Sequence, residues 1–284
     1  MEKEIVLGDR ITIPRLGLGT WCLGERPETR AQELEALQAG IKSGVRLLDT
    51  AEMYGDGAAE ELLGELVGRC DRRQLFLVSK VLPVNAGEKR IGESLDKTLQ
   101  RLRTDYLDMY LLHWKSSVPL AETVGCMESF VQKGKIRSWG VSNFDVEDME
   151  ALLEIPGGEH CAVNQVLYHL GSRGIEVALL PWLEKHHIGV MAYCPLAQGG
   201  DLRRELMQNQ VLQEIASHYQ ISVTQLLLLF VLYRKQVIAI PRSGKREHVE
   251  EICSAMDMEL REEDMKRMDE IFPAPSHRVP LDVV

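Results

Sequence analysis

Short apolar runs alternate with amphipathic helical patterns along almost the entire chain, and this alternation restricts the possible folds more than any other feature. The runs predict eight strands, near residues 16–19, 47–49, 75–80, 106–113, 138–142, 162–165, 189–193 and 237–240. Helical patterns follow them at 30–43, 59–68, 90–102, 120–133, 146–153, 175–186, 222–235 and 247–256, with further helices near 210–219 and 261–271. Eight strand–helix pairs within 284 residues favour an α/β protein with a closed (β/α)8 TIM barrel over an open doubly wound sheet.

The two ends of the chain lie outside this alternation. Two short apolar segments flank Gly8 and Asp9, which are typical of the two-residue turn of a β-hairpin. We expect this hairpin, within residues 1–14, to cap the barrel end opposite the carboxyl ends of the strands. Residues 273–284 are expected to form a tail near the barrel mouth. Because no linker or change of composition divides the chain, we expect residues 1–284 to form a single domain.

Composition and charge indicate which partners to expect. The formal net charge of −10 argues against a general affinity for nucleic acid or anionic membranes, so small molecules are the expected partners. The six cysteines show no C-x-x-C spacing that would indicate a zinc site or a redox pair. The start of the chain is charged, unlike a secretory leader, and the apolar run at 226–232 is too short to span a bilayer. We therefore expect a cytoplasmic monomer without a metal site.

Polar residues stand at the ends of successive strands. Asp49, Lys80 and His113 end or follow three of the predicted strands, and Tyr54 comes shortly after Asp49. The carboxyl ends of parallel strands form one rim, where α/β enzymes place their chemistry. Singly, such residues also cap turns, extend into solvent or fill the core. Their joint order favours an active site, because charges beside buried strands are costly unless they are used.

Six short motifs carry a resemblance to a known family. They are DTAEMYG at 49–55, Lys80, HW at 113–114, GVSNF at 140–144, NQ at 164–165 and AYCPL at 192–196. In these motifs and in their order, essentially the full chain resembles the aldo-keto reductases. The resemblance implies a barrel enzyme that reduces aldehydes or ketones to alcohols with hydride from a nicotinamide dinucleotide.

The resemblance also implies a role for each polar residue of the rim. Tyr54 would protonate the carbonyl oxygen as negative charge develops there. Lys80 would lower the pKa of the Tyr54 phenol, an effect of roughly 1 to 3 units for close charge pairs. Asp49 would keep Lys80 protonated, because a buried lysine otherwise tends to lose its proton. His113 would orient the carbonyl or relay a proton as a neutral imidazole.

By the same resemblance, the cofactor lies along the barrel mouth. Tyr193 would stack on the nicotinamide ring, and nearby polar side chains would hydrogen-bond its carboxamide. The sequence IPRS at 240–243 resembles the family's adenosine-phosphate motif, and Lys245 and Arg246 add positive charge. We therefore predict NADPH (NADP+) rather than NADH. The predicted contacts are Thr20, Asp49, Ser142, Asn143, Gln165, Tyr193, Cys194, Leu196, Arg242, Ser243 and His248.

Three positions at the phosphate end depart from the family pattern. Arg242 stands where lysine is commoner, His248 where arginine is usual and Ile252 where asparagine is usual. An imidazole is only partly charged near neutral pH. The preference for the 2′-phosphate of NADPH is therefore expected to be milder, or to depend on pH.

The predicted substrate pocket is partly aromatic. Its wall would come from Trp21, Met53 and Trp114, together with the loops after the third and seventh strands and the tail at 273–284. A tight mouth of this kind suits small aldehydes. Within the family, residues 164–176 most resemble bacterial reductases of methylglyoxal and related 2-oxoaldehydes, which is an analogy and not a chemical derivation.

Two other classes of function stay open on the sequence alone. A regulatory subunit could keep the barrel and sense the cofactor with little turnover. A Schiff-base lyase could use Lys80 as its nucleophile, since lysines on barrel strands often do so. The lyase leaves Tyr54 and Asp49 without an obvious task.

Overall fold

The structure is a computed structural model that describes residues 2–7, 11–115 and 117–284. A two-stranded sheet, β1 (Glu4–Leu7) and β2 (Ile11–Pro14), precedes an eight-stranded sheet. The eight strands are β3 (Gly17–Gly19), β4 (Leu47–Asp49), β5 (Phe76–Val81), β6 (Leu107–Leu112), β7 (Ile136–Ser142), β8 (Val163–Leu167), β9 (Gly189–Tyr193) and β10 (Val237–Ile240). The α-helices are α1 (Pro27–Lys42), α2 (Ala58–Val67), α3 (Ile91–Leu102), α4 (Leu120–Gln132), α5 (Val146–Leu153), α6 (Leu179–Lys185), α7 (Asp201–Gln208), α8 (Gln210–His218), α9 (Val223–Tyr233), α10 (Arg246–Ser254) and α11 (Glu262–Ile271).

The eight-stranded sheet closes into a barrel. Its strands run in chain order from β3 to β10, and each is parallel to its neighbours. The two outer strands meet through a parallel bridge between Leu16 and Ala239. Two backbone hydrogen bonds support this seam, from Ala239 N to Arg15 O at 2.8 Å and from Gly19 N to Pro241 O at 2.9 Å. The predicted (β/α)8 barrel is confirmed, and all eight strands end at one rim.

The hairpin contributes to the core inside the barrel. Ile5, Leu7 and Ile13 pack in one buried cluster with inward-facing residues of the barrel strands, including Leu47 and Met109. Leu7 lies against the start of β9, where a Cβ added at Gly189 would come within 2.6 Å of its Cδ1. The hairpin therefore covers the amino ends of the strands and leaves the carboxyl rim open. The predicted turn at Gly8 and Asp9 lies outside the described residues.

Two helical segments differ from the sequence prediction. The helix expected at 175–186 is divided into a 3-10 turn, Gly174–Glu176, and the shorter helix α6. Pro181 gives the reason, because a proline without an N–H fits only the first turn of a helix and α6 starts two residues before it. Helix α7 was not predicted, and its low apolar content explains why.

Among residues 2–7, 11–115 and 117–284, no single helix is long and apolar enough to cross a membrane. Helices α8 and α9 reach that length and composition only when taken together, and they meet at an angle of 85°.

A close contact between α2 and α3 gives a test of the packing. A Cβ added at Gly64 would lie 2.1 Å from the carbonyl oxygen of Arg101. We expect Gly64→Ala to lower the free energy of unfolding by about 1–3 kcal/mol, since overpacking forces the backbones apart. The matched control is Gly125→Ala in α4, where the added Cβ meets no atom within 4 Å and where alanine should stabilise the helix by about 1 kcal/mol. Urea unfolding followed by circular dichroism measures both, and equal stability of Gly64→Ala and the wild-type protein would contradict the packing.

Candidate active site

The barrel places the four predicted catalytic residues on three adjacent strands. Asp49 is the last residue of β4, Lys80 lies near the end of β5, and His113 directly follows β6. Tyr54 begins a short 3-10 turn after β4. Because β4, β5 and β6 are neighbours in the sheet, the four side chains converge at the carboxyl rim.

Lys80 is the centre of this group. Its side chain is 0% exposed, and its ammonium donates hydrogen bonds to Asp49 Oδ1 at 2.7 Å, Thr50 O at 2.8 Å and Tyr54 Oη at 3.0 Å. An ammonium has three N–H donors, so all of them are used. The nitrogen is held between a carboxylate and a phenol, and its position is fixed by three different acceptors.

Burial and neighbouring charges shift the pKa values of Lys80 and Tyr54 in opposite directions. Burial lowers the pKa of Lys80, but Asp49 and Tyr54 outweigh it, so the net pKa is raised and Lys80 stays protonated. Burial raises the pKa of Tyr54, and the charge of Lys80 lowers it without fully cancelling that effect. The expected lowering effect of Lys80 on the pKa of Tyr54 is therefore present. The net pKa of Tyr54 is nevertheless raised, because removing water from around a phenolate costs more than the neighbouring cation offsets.

His113 is a buried, neutral imidazole. Burial, and then the charge of Lys80, lowers its pKa to about 3. Its ring meets that of Tyr54 edge-on with centroids 5.8 Å apart, and it lies against Trp114. Within the described part of the chain, its Nδ1 has no hydrogen-bond partner. Both rings face the same cavity, so they can act on one bound group.

A hydrogen-bond chain links these residues to the predicted carboxamide contacts. Gln165 Nε2 donates to Asp49 Oδ2 at 2.9 Å, and Ser142 Oγ donates to Gln165 O at 2.8 Å. Asn143 Nδ2 donates to Ser142 Oγ at 3.3 Å, and Tyr193 Oη donates to Asn143 Oδ1 at 3.0 Å. The sequence did not indicate this link. The hydrogen bond from the Gln165 amide nitrogen holds Asp49 in position. In the described residues, no hydrogen bond involves the amide oxygen of Gln165.

An elongated groove extends from Tyr54 across the rim. It consists of three neighbouring cavities, and Arg242 borders each of them. The first cavity is bordered by Ser142, Asn143, Gln165 and Tyr193, among others. Cys194 and Leu196 line the second, and Ser243 and His248 line the third. The structure therefore brings most of the predicted cofactor contacts together along one path.

Thr20 is the exception among these contacts. Its side chain is fully buried, and its hydroxyl donates to the backbone oxygen of Asp49 at 3.0 Å. It is not among the residues that line the groove. The structure shows that Thr20 supports the end of β4 through this hydrogen bond, and its contact with the cofactor stays a prediction. The motif position gave no information on which way the hydroxyl points.

Cationic side chains lie at the far end of the groove, where Glu25 and Glu33 also line the third cavity. Arg242 donates from Nε to Trp21 O at 2.9 Å and from Nη2 to Cys22 O at 3.0 Å, which ties the loop after β3 to the loop after β10. Arg246 is paired with Glu250 at 2.7 Å and with Glu35 at 3.4 Å. Its charge is therefore already compensated.

Two residues that line this end of the groove were not predicted from the sequence. The structure also shows the location of Ile252, which departs from the family pattern. Arg26 and Cys22 also line the groove there, although neither was predicted. Both lie in the loop after β3, and the rule that such loops form the active-site face of a barrel could have indicated them. Ile252 is 2% exposed and packs in the core, so it cannot replace the polar side chain that is usual at its position.

The outer wall of the first cavity is apolar. Trp21, Met53 and Trp114 line it and are 45%, 38% and 37% exposed, which argues against a role in core packing. Val284 lines the same cavity from the end of the tail. The cavity beside Tyr54 is thus lined by both polar and apolar side chains.

Known proteins resemble this chain over most of its length. The family model described as "Aldo/keto reductase family" matches residues 15–272. The methylglyoxal reductase YeaE of Escherichia coli (strain K12) is 47% identical over 283 residues, covering 100% of this chain and 99% of that protein. The glyoxal reductase of Bacillus subtilis (strain 168) is 33% identical, covering 95% of this chain and 92% of that protein.

A solved structure gives the same result. The crystal structure of an aldo-keto reductase from Klebsiella pneumoniae in complex with NADPH has a TM-score of 0.96 and 48% identity, and it covers 100% of both chains. The family resemblance seen in the motifs is thus confirmed over the full length. The chain belongs to the aldo/keto reductase family.

Proposed function

We propose that this protein reduces small aldehydes or ketones, such as 2-oxoaldehydes like methylglyoxal, to alcohols with NADPH. The hydrogen bond from the Lys80 ammonium to Tyr54 Oη is the observation that carries the proposal. It holds a proton donor beside a cation that can stabilise the resulting phenolate. The methylglyoxal and glyoxal reductases among the relatives support the substrate class.

The groove fits a dinucleotide in shape and charge. It is long, it runs from the catalytic residues to a cluster that contains Arg242, Lys245 and His248, and its inner end holds the ring of Tyr193. An aromatic face suits a nicotinamide ring, and cations suit phosphates. The NADPH bound to the related Klebsiella protein supports the same choice of cofactor.

Residues of the protein itself would donate the proton and stabilise the charge that remains. NADPH, when bound in the groove, would supply a hydride to the carbonyl carbon. Tyr54 Oη donates its proton to the carbonyl oxygen, and the Lys80 ammonium at 3.0 Å stabilises the phenolate that remains. Asp49 keeps Lys80 charged and positioned. We assign the N–H of the neutral His113 to Nε2, since Nδ1 has no partner, and this donor orients the carbonyl.

We further propose how the groove residues divide the cofactor. Tyr193 would stack on the nicotinamide, and Asn143, Ser142 and the free amide oxygen of Gln165 would hold its carboxamide. Cys194 and Leu196 would border the middle of the cofactor, while Arg242, Ser243 and His248 would hold the adenosine phosphate. Trp21, Met53 and Trp114 bound the substrate.

Cofactor preference should depend on the charge at position 248. His248 lines the third cavity, where the adenosine phosphate is proposed to bind. In His248→Arg, a permanently charged guanidinium would attract a 2′-phosphate, which NADH lacks. We expect the kcat/KM ratio of NADPH to NADH to exceed one in the wild-type protein and to be a few-fold higher in His248→Arg. A wild-type preference for NADH would contradict the cofactor assignment.

The geometry disfavours the lyase. A nucleophilic lysine must be unprotonated and reachable, whereas Lys80 is protonated, fully buried and bound to three acceptors.

Catalytic turnover distinguishes a reductase from a regulatory subunit that only binds the cofactor. The test is a panel of small aldehydes and ketones, with the decrease in NADPH absorbance as the readout. We expect 2-oxoaldehydes to be reduced, whereas tight NADPH binding without reduction of any carbonyl would favour the regulatory role.

We also propose that the 284 residues act as one domain, with the hairpin of residues 1–14 as the cap and residues 273–284 as the tail at the mouth. All six cysteines are free thiols, which suits a reducing compartment such as the cytoplasm. We propose a monomer that acts on a small carbonyl compound, and the net charge of −10 disfavours nucleic acid and anionic membranes as partners.

A further inference from the structure

The short turn that carries Tyr54 has little support of its own. It covers Tyr54–Gly57, and its last three residues have positive φ angles of 57°, 52° and 95°. This left-handed conformation is unfavourable for a residue with a Cβ, such as Asp56. Met53, Gly55 and Asp56 are exposed, so much of the turn is in contact with solvent. The position of the turn therefore depends on the residues on either side of it.

Glu52 fixes the chain on the side before the turn. Its Oε1 accepts hydrogen bonds from Leu82 N at 2.6 Å and from Asn85 Nδ2 at 3.1 Å. Its Oε2 accepts a hydrogen bond from Ser94 Oγ. Leu82 and Asn85 belong to the connection after β5, and Ser94 lies on α3. One carboxylate thus binds two neighbouring elements, and it does so two residues before Tyr54.

The contacts of Glu52 lead to the strand that carries Lys80. Glu52 N donates to Lys80 O at 3.4 Å, and Leu82 follows Lys80 by two residues. Thr50 N donates to Val78 O at 2.9 Å, and the Lys80 ammonium donates to Thr50 O at 2.8 Å. The segment from Thr50 to Glu52 is therefore attached to β5 by its backbone, and the Glu52 side chain adds an attachment to the chain just beyond β5.

Helix α2 fixes the chain on the side after the turn. Glu60 Oε1 accepts a hydrogen bond from Ser79 Oγ at 2.6 Å, and Glu60 Oε2 accepts one from Arg101 Nε at 2.5 Å. Ser79 directly precedes Lys80 in β5. Both sides of the turn are thus tied to the strand of Lys80 or to its end. In the described part of the chain, the contact with Lys80 Nζ at 3.0 Å is the one hydrogen bond of Tyr54 Oη, so the position of the phenol depends on these attachments.

From this arrangement we propose that Glu52 is a positioning residue, which keeps Tyr54 Oη within hydrogen-bond distance of the Lys80 ammonium. The inference rests on the proposed carbonyl reduction and deepens it. Glu52 is not among the residues that line the three cavities of the groove, so its replacement removes no contact with substrate or cofactor. Its effect on turnover is therefore exerted through Tyr54.

The first measurement is the reduction of methylglyoxal with NADPH. In Glu52→Ala we expect kcat to fall by about ten-fold or more, because a misplacement of about 1 Å can cost 10²-fold in rate. The KM for methylglyoxal and the Kd for NADPH should stay within about two-fold of wild type, since binding contacts are unchanged. In Glu52→Gln, the amide can still accept from Leu82 N and can donate to Ser94 Oγ, so kcat should return close to the wild-type value.

A double-mutant cycle separates positioning from a general loss of stability. If Glu52 acts through Tyr54, Glu52→Ala should lower kcat by less than about two-fold in Tyr54→Phe, where the hydroxyl is already absent. An equal reduction in both backgrounds would overturn the inference. The control is Glu128→Ala, which removes the acceptor of a hydrogen bond from Trp139 Nε1 at 2.6 Å, beside the hairpin at the opposite end of the barrel. Its kcat should equal that of the wild-type protein.

A crystal structure of Glu52→Ala tests the inference without turnover. We expect the turn to be displaced and Tyr54 Oη to lie out of hydrogen-bond reach of Lys80 Nζ, whereas a contact kept at 3.0 Å would overturn the inference. If Glu52→Ala does not fold, Glu52→Asp takes its place in both experiments, because a side chain one methylene shorter cannot reach all three donors. A wild-type protein that binds NADPH and reduces neither methylglyoxal nor other small carbonyl compounds would instead contradict the proposed function.

Discussion

Replacement of Tyr54 by phenylalanine should lower kcat by at least about 10²-fold, as expected for the loss of a general acid. The ring would still fill its place beside His113, and only the hydroxyl that receives the hydrogen bond from Lys80 would be lost. Binding of NADPH should change little. Steady-state kinetics with a 2-oxoaldehyde measures the first effect, and fluorescence titration with NADPH measures the second.

The matched control is Tyr233→Phe. It removes the same hydroxyl from a side chain that is 40% exposed and lies outside the groove. This variant should turn over substrate like the wild-type protein. If Tyr54→Phe kept kcat within about ten-fold of wild type, which is less than a general acid normally contributes, Tyr54 would have to be removed from the mechanism.

Lys80→Met should be impaired in two measurable ways. We expect kcat to fall by about 10²-fold, since the phenolate loses its cation. Lys80 lowers the pKa of Tyr54, so its removal raises that pKa and keeps the phenol protonated to higher pH. The alkaline limb of the residual kcat profile should therefore move to higher pH. A limb at the wild-type position would contradict the coupling of the two residues.

The same variant should also be less stable. Asp49 is 3% exposed, and without Lys80 its carboxylate is buried opposite a methionine, at a cost of about 3–5 kcal/mol for a broken buried pair. The control is the double variant Asp49→Asn, Lys80→Met, in which no charge is left unpaired. Urea unfolding should show that it recovers much of the stability, whereas turnover stays low. A double variant as unstable as Lys80→Met would contradict this account.

The sequence predicted the architecture well because its signals are local. Strand-like runs of three to seven residues and helical patterns of about three turns recur in an order that few folds accept. The elements missed or altered are α7, which has a weak apolar face, and the helix interrupted before Pro181. Their boundaries depend on packing and on backbone groups that periodicity does not describe.

The sequence predicted only part of the chemistry of the site. Because strand order fixes which residues share a rim, the sequence indicated that Asp49, Lys80 and His113 would meet. The sequence did not indicate the direction in which each side chain points. Gln165 turns its amide to Asp49, and Thr20 turns its hydroxyl away from the groove, and both choices depend on distant backbone and side-chain atoms.

By itself, the sequence determined the barrel, its hairpin and the set of polar residues at the carboxyl rim, since each follows from periodicity and from the order of parallel strands. Tertiary structure decided the pKa of Tyr54, where the effect of burial outweighs the effect of the neighbouring Lys80 ammonium. It also decided that Ser172 binds Asp282, a contact between residues 110 positions apart. Such effects depend on distances between atoms and on the exclusion of water, and both are set only when the chain is folded.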